Sequence, residues 1–595
     1  MPHRWSVVLA AALLGAAALP NALAGTRPSA TEQLNAMVDR YFEESLKLDP
    51  VGATFIGDNR YNDRYANSIS PKYVADALQR ERRYLRELER IDPDALTGTD
   101  RITYDVFRFD RETAIAGARF PAELMPIDQF NNPVSTFAVL GSGNSAQPFV
   151  TVRDYENFLA RTDEFLVFLD QVITNMRIGM ARGYTQPKIV MQKVLPQLDD
   201  LVTPKIEDSV FYGPIRTLPA TFPAADRERL TAAYRREIAG KLNPALKRLA
   251  DSIRNGYLPH SRDSVGWSAL PDGRAWYDYA LLVFTTTHMT ADEIHELGLK
   301  EVARIRGEMQ EVKRQVAFDG DLHAFFRYMQ TDPRFLFASA ADALNEYQAT
   351  KKKVEALLPR MFQVFPRADF EIREVEPFRA AAAAGAFYQP PSEDGSRPGI
   401  FYLNTSDLRR VPRYGMETLL LHEAEPGHHF QIAIAEELKG IPRYRRLSVR
   451  SGYAEGWALY CESIGKELGM FTDPYQYYGR LNDEMLRAMR LVVDTGLHAK
   501  GWTREQGIAY MLDNSSLAEP EVVAEVERYI AWPGQATAYK VGQLRIRAMR
   551  DRAEKALGGH FDVKEFHSQI LLDGALPLDV LDAKIDRWIA AGSKS

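Results

Sequence analysis

The chain has almost no cysteine. Its 595 residues contain a single one, Cys461, which excludes an intrachain disulfide and any metal site built from several cysteines. Histidine, aspartate and glutamate are then the residues able to hold a metal ion, and the chain has only 11 histidines. A ligand set of this kind suits a catalytic metal site better than a structural one.

The sequence also lacks a large net charge. Lys and Arg number 74 and Asp and Glu number 80, for a formal net charge of −6. These charges are spread along the chain, which argues against a nucleic-acid partner, because nucleic-acid binding requires a concentrated basic surface. After the N-terminus no apolar run approaches the roughly 20 residues of a membrane-spanning helix, so we expect no membrane anchor of that kind.

The first 24 residues have the pattern of a secretory signal peptide. Arg4 gives a basic start, residues 7–19 are apolar, and residues 22–24 have the small-x-small pattern of a cleavage site. We predict cleavage after Ala24, which places the mature protein in the periplasm or outside the cell. Because no cysteine follows the predicted cleavage site, we do not expect a lipoprotein anchor.

Histidine is concentrated in one place. Residues 422–429 read His-Glu-Ala-Glu-Pro-Gly-His-His and follow the apolar residues 419–421. A His-Glu pair on a buried helix places a metal ligand, His422, beside a general base, Glu423. In the usual H-E-x-x-H spacing the second ligand lies one helical turn later, but here that position is Pro426.

The proline and glycine need a physical explanation. On a regular helix His429 would share a face with His422 at a distance of roughly 10 Å. Two ligands of one zinc ion lie only about 3–3.5 Å apart. Pro426 disrupts a helix and Gly427 tolerates unusual backbone angles. We therefore predict a bulge or widened turn at 425–428 that brings His428 or His429 to His422. The alternative is a helix that ends here, with solvated histidines beyond it.

Residues 422–429 resemble the H-E-x-x-P-G-H-H signature of a large bacterial family catalogued as a domain of unknown function. That family is similar to the gluzincin metallopeptidases, which include thimet oligopeptidase, angiotensin-converting enzyme and the thermostable carboxypeptidases. The resemblance extends over most of the mature chain and is strongest over residues 399–550. It implies a mainly α fold with two helical lobes around a deep channel and a small β-sheet beside the active-site helix. The lobes would cover roughly residues 25–260 and 261–595, the second carrying the metal site.

The resemblance also implies Zn²⁺ as cofactor and assigns its ligands. His422 would be the first ligand, and His428 the second, because the stretched motif of dipeptidyl peptidase III ends in Gly-His. His429 would face the cleft and touch substrate or hold a carboxylate.

The third ligand should be a glutamate on the following helix. Residues 451–462 are apolar and helical in pattern, with Glu455 and Glu462 near one face, and a buried carboxylate is costly unless it is paired or metal-bound. The family places Glu-Gly-Trp at this point, which favours Glu455 and leaves Glu462 as the alternative. Glu462 and Asp494 are candidates to accept a hydrogen bond from an imidazole N–H.

Further residues are candidates for catalysis. Residues 534–544 are similar to the Gly-Tyr-x-Ala-x-Tyr segment of thimet-type peptidases, which implies that Tyr539 stabilises the oxyanion. His498 has an apolar flank and a glycine nearby, so it could donate to a substrate carbonyl, although a core histidine is the alternative. Arg545, on the helix that follows Tyr539, could bind the C-terminal carboxylate of a substrate, as could Arg547 or Arg550.

Local patterns predict several other elements. Thr290 and Glu293 form a capping box that should open a helix ending near Val316. Residues 370–375 and 400–404 read as short strands. In gluzincins a strand just before the active-site helix often lies at a sheet edge and pairs with substrate, which makes Tyr402 and Asn404 candidate substrate-binding residues. An ordinary core strand is the alternative.

Together these observations predict a zinc-dependent peptidase acting on oligopeptides, of the carboxypeptidase or peptidyl-dipeptidase type. Two alternatives remain open from the sequence. One is a non-catalytic peptide-binding protein whose degenerate motif holds no metal. The other is a zinc amidase or esterase that acts on substrates other than peptides.

Overall fold

The structure is a computed structural model that describes residues 28–376, 380, 385–391 and 397–593. The predicted signal peptide, residues 1–24, lies outside the described residues. Within them the fold is mainly α-helical with one small β-sheet, as predicted. In this part of the chain no helix combines the length and the hydropathy that a membrane span requires.

Fourteen α-helices precede the sheet in the described part of the chain. They are α1 (Ala30–Leu48), α2 (Pro50–Phe55), α3 (Pro71–Leu88), α4 (Gly98–Gly117), α5 (Pro133–Gly141), α6 (Val152–Arg182), α7 (Lys188–Asp199), α8 (Gly213–Arg216), α9 (Ala224–Glu237), α10 (Asn243–Ser252), α11 (Gly273–Thr285), α12 (Ala291–Gln315), α13 (Leu322–Thr331) and α14 (Ala340–Leu357). The capping box predicted for α12 is confirmed, because Thr290 and Glu293 cap each other's backbone N–H groups.

The sheet has three strands, β1 (Phe370–Glu374), β2 (Ala386–Gln389) and β3 (Gly399–Leu403). Their order is β1-β3-β2, with β3 parallel to β1 and antiparallel to β2. Both edges of β3 are therefore occupied, and all five of its residues are buried. Of the two alternatives left open by the sequence, the ordinary core strand is the one observed, because β3 is the central strand of the described sheet and does not lie at an edge where substrate could pair.

Eleven more helices follow within the described residues. They are α15 (Met416–Glu423), α16 (His428–Glu437), α17 (Arg443–Arg446), α18 (Ser451–Ser463), α19 (Gly465–Leu468), α20 (Pro474–Ala499), α21 (Arg504–Asn514), α22 (Glu519–Ala531), α23 (Ala538–Leu557), α24 (Val563–Leu571) and α25 (Leu578–Gly592). Helix α12 packs along α20, and α18 packs along α23.

Two large hydrophobic cores hold these elements together. The first joins residues 127–257 to helices α12, α13 and α20–α22. The second joins α14 and the sheet to α15, α18 and α23–α25. Helices after residue 260 therefore share a core with residues before it.

Candidate metal centre

The helix that carries His422 is interrupted rather than bulged. Helix α15 ends at Glu423 and α16 begins at His428, so the Pro-Gly segment lies in the gap between two helices. A Cβ on Gly427 would lie 1.9 Å from the carbonyl oxygen of His422 and 2.4 Å from that of Leu421. The chain thus folds back against the end of α15 so closely that only glycine fits.

Helix α18 holds this interruption in place. The indole N–H of Trp457 donates to the carbonyl oxygen of Pro426 at 2.8 Å, and the thiol of Cys461 lies 3.5 Å from the same oxygen. Both donors are buried, and they come from the helix that also carries Glu455. One element therefore positions both the break and the third candidate ligand.

The break brings His428 to His422 and Glu455. The carboxylate of Glu455 lies 3.6 Å from Nε2 of His422 and 3.5 Å from Nε2 of His428, and the three ligand atoms all lie within 4.8 Å of one another. These separations are long for hydrogen bonds. Two ligands about 2.0–2.2 Å from one tetrahedral ion would lie about 3.3–3.6 Å apart, so the spacing suits a single metal ion.

Glu462 orients the first imidazole from behind. Its carboxylate accepts a hydrogen bond from Nδ1 of His422 at 2.7 Å and another from the hydroxyl of Thr418 at 2.9 Å. In the neutral ring, with the proton on Nδ1, the lone pair of Nε2 points toward Glu455, as a metal ligand requires. Glu462 therefore holds the ring of His422 from one side, whereas Glu455 lies among the three groups that could hold a metal ion.

The second candidate for this supporting role, Asp494, lies elsewhere. Its carboxylate accepts hydrogen bonds from the hydroxyl of Tyr277 and the backbone N–H of Gly534. Burial raises the pKa of Asp494 to about 7. Its partners join α20 to α11 and to the segment before α23, so it stabilises the packing of these elements.

The electrostatics of the site favour a cation. Burial alone would raise the pKa of the Glu455 carboxyl, yet the two imidazoles beside it hold that pKa well below its usual range. Burial lowers the pKa of His422, but the carboxylates of Glu455 and Glu462 outweigh it and raise that pKa to about 10. Nδ1 of His428 is buried and has no hydrogen-bond partner among the described residues. Two nitrogens and one carboxylate oxygen, in a negative potential, fit a metal ion that accepts mixed N and O ligands.

Comparison with known proteins identifies the family of the chain. The family described as "Bacterial protein of unknown function (DUF885)" matches residues 50–585. The chain belongs to the DUF885 family. No curated protein matches it.

Two solved structures resemble this DUF885 chain over nearly its whole length. The crystal structure of "the putative lipoprotein from Colwellia psychrerythraea" is 29% identical, with a TM-score of 0.86, over 95% of this chain and 100% of that one. The structure of "a putative lipoprotein of unknown function from Shewanella oneidensis" is 17% identical, with a TM-score of 0.75, over 93% and 99% of the two chains. The second likeness concerns the fold alone.

His429 does not face the cleft, which corrects the expectation for this residue. Its ring is fully buried, Nδ1 accepts a hydrogen bond from the hydroxyl of Tyr388 at 2.8 Å, and Nε2 donates to the carbonyl oxygen of Ala368 at 3.1 Å. Burial lowers the pKa of His429 to about 4, so the ring is neutral. It joins α16 to β2 and to the loop before β1, and both of its ring nitrogens are occupied.

His498 is likewise a core histidine, the alternative left open by the sequence. Its ring is fully buried, Nδ1 accepts from the backbone N–H of Trp267 at 3.1 Å, and Nε2 donates to the carbonyl oxygen of Tyr529 at 3.0 Å. Burial lowers the pKa of His498 to about 3. No ring N–H remains for a substrate carbonyl, which corrects the expected catalytic role.

Tyr539 lies beside the helix that carries Glu455. A Cβ on Gly542 would meet the carbonyl oxygen of Gly452 at 2.0 Å and the Cα of Gly456 at 2.7 Å, so α18 and α23 touch backbone to backbone. This contact is one residue past Glu455 and one helical turn past Tyr539. The Tyr539 side chain is half-buried, and the Arg490 guanidinium lies 4.5 Å from the centre of its ring.

Glu423 occupies the last residue of α15, directly after His422, and is half-buried. Its charge reaches the hydroxyl of Tyr347, where burial raises the pKa and the charges of Asp483 and Glu423 add to that increase. The Tyr347 hydroxyl is buried and lacks a hydrogen-bond partner in the described structure. The charges of Glu423 and Asp483 therefore both act on this hydroxyl.

The residues predicted to bind substrate have other contacts. Tyr402 is 5% exposed and stacks on Phe387 with ring centres 4.9 Å apart. Asn404 is fully buried, and its amide donates to the carbonyl oxygen of Ala380 at 2.8 Å. Both side chains therefore pack around the sheet, a position that corrects their predicted role in binding substrate.

The guanidinium of Arg545 also has partners within the protein. Its guanidinium forms ion pairs with Asp579 at 3.1 Å and Asp582 at 2.8 Å, both on α25. Arg547 and Arg550 each pair with Glu467. The structure thus assigns these arginines to contacts between helices rather than to a substrate carboxylate.

Sequence reasoning missed two residues whose charges interact with those of Glu462 and His422. Asp483 and Arg487 lie on α20 and are the partly exposed members of an otherwise buried stretch. In the sequence they look like ordinary solvent-facing charges on an amphipathic helix. The usable signal was the apolar run at residues 491–493 shortly after them, which is typical of a helix surrounded by protein.

Proposed function

We propose that this DUF885 chain is a zinc-dependent peptidase that hydrolyses oligopeptides in the periplasm or outside the cell. His422, His428 and Glu455 would hold the metal. One observation carries the proposal: two imidazoles and one carboxylate from three separate helices converge within 4.8 Å, although proline and glycine break the usual motif. Zinc held there would supply a Lewis acid for the scissile carbonyl and would lower the pKa of a water molecule.

The residues around the ligands have separate tasks. Glu423 would take a proton from the attacking water and deliver it to the leaving amine, because its half-buried carboxylate follows the first ligand directly. Tyr539 would donate its hydroxyl to the carbonyl oxygen as negative charge develops there. Glu462 would keep the Nδ1 proton on His422 and so fix the direction of Nε2.

An extended substrate would find its backbone partner at β2 rather than β3. In the described part of the sheet β2 pairs with β3 along one edge and has no strand along the other. It contacts both α15 and α16, the helices on either side of the Pro-Gly break. Addition of a peptide strand here would supply affinity without demanding particular side chains.

Metal analysis and a peptide digest test the proposal together. Purified protein should contain one zinc ion per chain and cleave members of an oligopeptide library. A chelator should abolish cleavage, and added zinc should restore it. The variant Glu423→Gln should keep its zinc and lose activity by about 10²- to 10⁴-fold, the usual contribution of a general base.

Glu425→Gln provides a matched control in the same motif. The Glu425 carboxylate is not one of the three converging groups and lies 4.0 Å from the buried His429. This variant should keep both zinc and activity. Protein without zinc would favour a peptide-binding protein with a degenerate motif, and zinc-loaded protein that cleaves esters or simple amides but no peptide would favour the amidase or esterase alternative.

A further inference from the structure

Between Tyr478 and His498, helix α20 is buried on all sides except at one small window. Throughout the stretch from Tyr478 to His498, which the structure describes completely, every residue is buried except Asp483 and Arg487. The two side chains are 27% and 13% exposed and lie one helical turn apart, so they open on the same side. A central helix that exposes only two adjacent charged residues must border a recess there.

This window lies on the face of α20 that turns toward Tyr539, because Arg490, about one turn past Arg487 on the same face, places its guanidinium 4.5 Å from the centre of the Tyr539 ring. Helix α20 also contacts α15, the helix that carries His422. Burial raises the pKa of Asp483 to about 6, and the nearby charges of Glu462 and His422 also act on it. Burial lowers the pKa of Arg487, but Asp483 and Glu462 together raise it above its ordinary value. Tyr539 adds to the same effect. Arg487 thus lies within electrostatic reach of both the carboxylate behind the first ligand and the candidate oxyanion donor.

Arg487 has unused hydrogen-bond donors. Its Nη1 donates to the backbone carbonyl of Asp483 at 3.1 Å and lies 3.7 Å from the carboxylate, while its Nε is buried without a partner among the described residues. By contrast, Arg490 bonds to Glu525 through two nitrogens, at 3.0 and 2.9 Å. A guanidinium has five N–H donors in a planar fork, and leaving buried donors unfilled is costly.

We propose that Arg487 binds a carboxylate of the substrate, namely the C-terminal carboxylate of a peptide. The planar fork matches a carboxylate bidentately, and a site beside the metal ligands would fix the distance from the chain end to the scissile bond. This inference rests on the proposed peptidase function and makes the enzyme an exopeptidase that acts from the C-terminus.

Peptides of one sequence that differ at their last residue test this inference. They are a free acid, its C-terminal amide, and an amide that ends in glutamate. The wild-type protein should prefer the free acid, and Arg487→Gln should lower kcat/KM for it by about 10- to 150-fold while leaving the plain amide unchanged. Arg487→Lys keeps the positive charge and loses the planar fork, so its kcat/KM for the free acid should lie between those of the wild-type protein and Arg487→Gln. If the wild-type protein cleaves the glutamate amide as efficiently as the free acid, the carboxylate that Arg487 binds belongs to an acidic side chain. That result would overturn the proposal that Arg487 binds the C-terminal carboxylate.

Arg545→Gln is the matched control. Nε of Arg545 is buried without a partner within the described chain, as in Arg487, but its Nη2 is already paired with Asp579 and Asp582, so this variant should keep the preference for the free acid. Loss of the preference in Arg545→Gln and its retention in Arg487→Gln would overturn the inference. So would cleavage of the free acid and the amide at equal rates by the wild-type protein, a comparison that depends on no variant.

A binding measurement separates this inference from the proposed function. Calorimetry with the dipeptide Gly-Phe and with its C-terminal amide should show tighter binding of the free acid to the wild-type protein and no such difference in Arg487→Gln. If no peptide is cleaved but this difference is found, the peptidase proposal fails and the carboxylate site stands. If peptides are cleaved without any preference for the free acid in turnover or binding, the carboxylate site fails and the peptidase stands.

Discussion

Adding one methyl group at Gly427 should destroy the metal site. A Cβ at this position would lie 1.9 Å from the carbonyl oxygen of His422, whereas ordinary Cβ contacts begin at 3.4 Å, so these groups must separate by about 1.5 Å. The opposing atoms are backbone carbonyls of α15, which cannot rotate away as a side chain could. His428 follows directly and would move by a similar distance from Glu455. Metal–ligand distances tolerate only about 0.2 Å, so the ligand set would be lost.

The energetic cost can be bounded. Overpacking in a well-packed interior costs about 1–3 kcal/mol and sometimes more, and the short distances in this case place Gly427→Ala at the upper end. If that cost falls on the metal-bound arrangement, zinc affinity should drop by about 100-fold or more. Competition with a chromophoric chelator measures the affinity, and thermal unfolding of the metal-free protein measures any remaining loss of stability.

Gly415→Ala is the control for this experiment. Gly415 directly precedes α15, and the nearest atom to a Cβ there would be 4.0 Å away, so the substitution should leave zinc affinity unchanged. Wild-type zinc affinity in Gly427→Ala would refute the reasoning, because it would mean that the chain does not fold back on the end of α15 as described.

Two further predictions concern the histidines. His428→Ala should lose zinc and keep the fold, whereas His429→Ala should keep zinc and lose about 2–4 kcal/mol of stability, because it creates a cavity and leaves the hydroxyl of Tyr388 without its partner. Metal content and urea unfolding of the metal-free protein measure both, and the reverse pattern would exchange the two assignments. Burial sets the pKa of His429 at about 4 and of His498 and His567 at about 3, below the ordinary 6.5, so the unfolded chain binds more protons at acidic pH. The contribution of each of these rings to the free energy of unfolding should therefore fall by about 2 kcal/mol between pH 8 and pH 5. Groups with raised pKa values, such as Asp494 and His422, act in the opposite direction, so urea titrations over this range compare the wild-type protein with His567→Gln, and a difference between the two that does not change with pH would contradict the buried neutral ring.

The local sequence determined the elements and the composition of the site. The capping box at Thr290 and Glu293 started a helix where expected. The strands predicted at 370–375 and 400–404 are present, each within one residue of its expected bounds. Pro426 had to interrupt the helix after His422, because proline lacks the N–H that a helix interior needs. These features depend on near neighbours in the chain, so the sequence contains them.

Choices between chemically similar residues were made by tertiary structure. His428 and His429 are adjacent and have the same side chain, and only the folded chain shows that the ring of His428 turns toward Glu455, beside the hydrogen bond from Trp457 to the carbonyl of Pro426. His498 and Arg545 were misassigned because their partners lie far along the chain, at Trp267 for the first and on α25 for the second. No local pattern records such contacts.

Glu455 and Glu462 show most clearly which choices the sequence leaves open and the tertiary structure makes. They lie two turns apart on one face of α18, so helical periodicity cannot distinguish them, and both are carboxylates in apolar surroundings. The structure places Glu455 at Nε2 of His422 and Glu462 at Nδ1 of the same ring. Two turns span about 10.5 Å, enough to reach both sides of one imidazole, and only the packing of α15 against α18 decides which carboxylate meets which nitrogen.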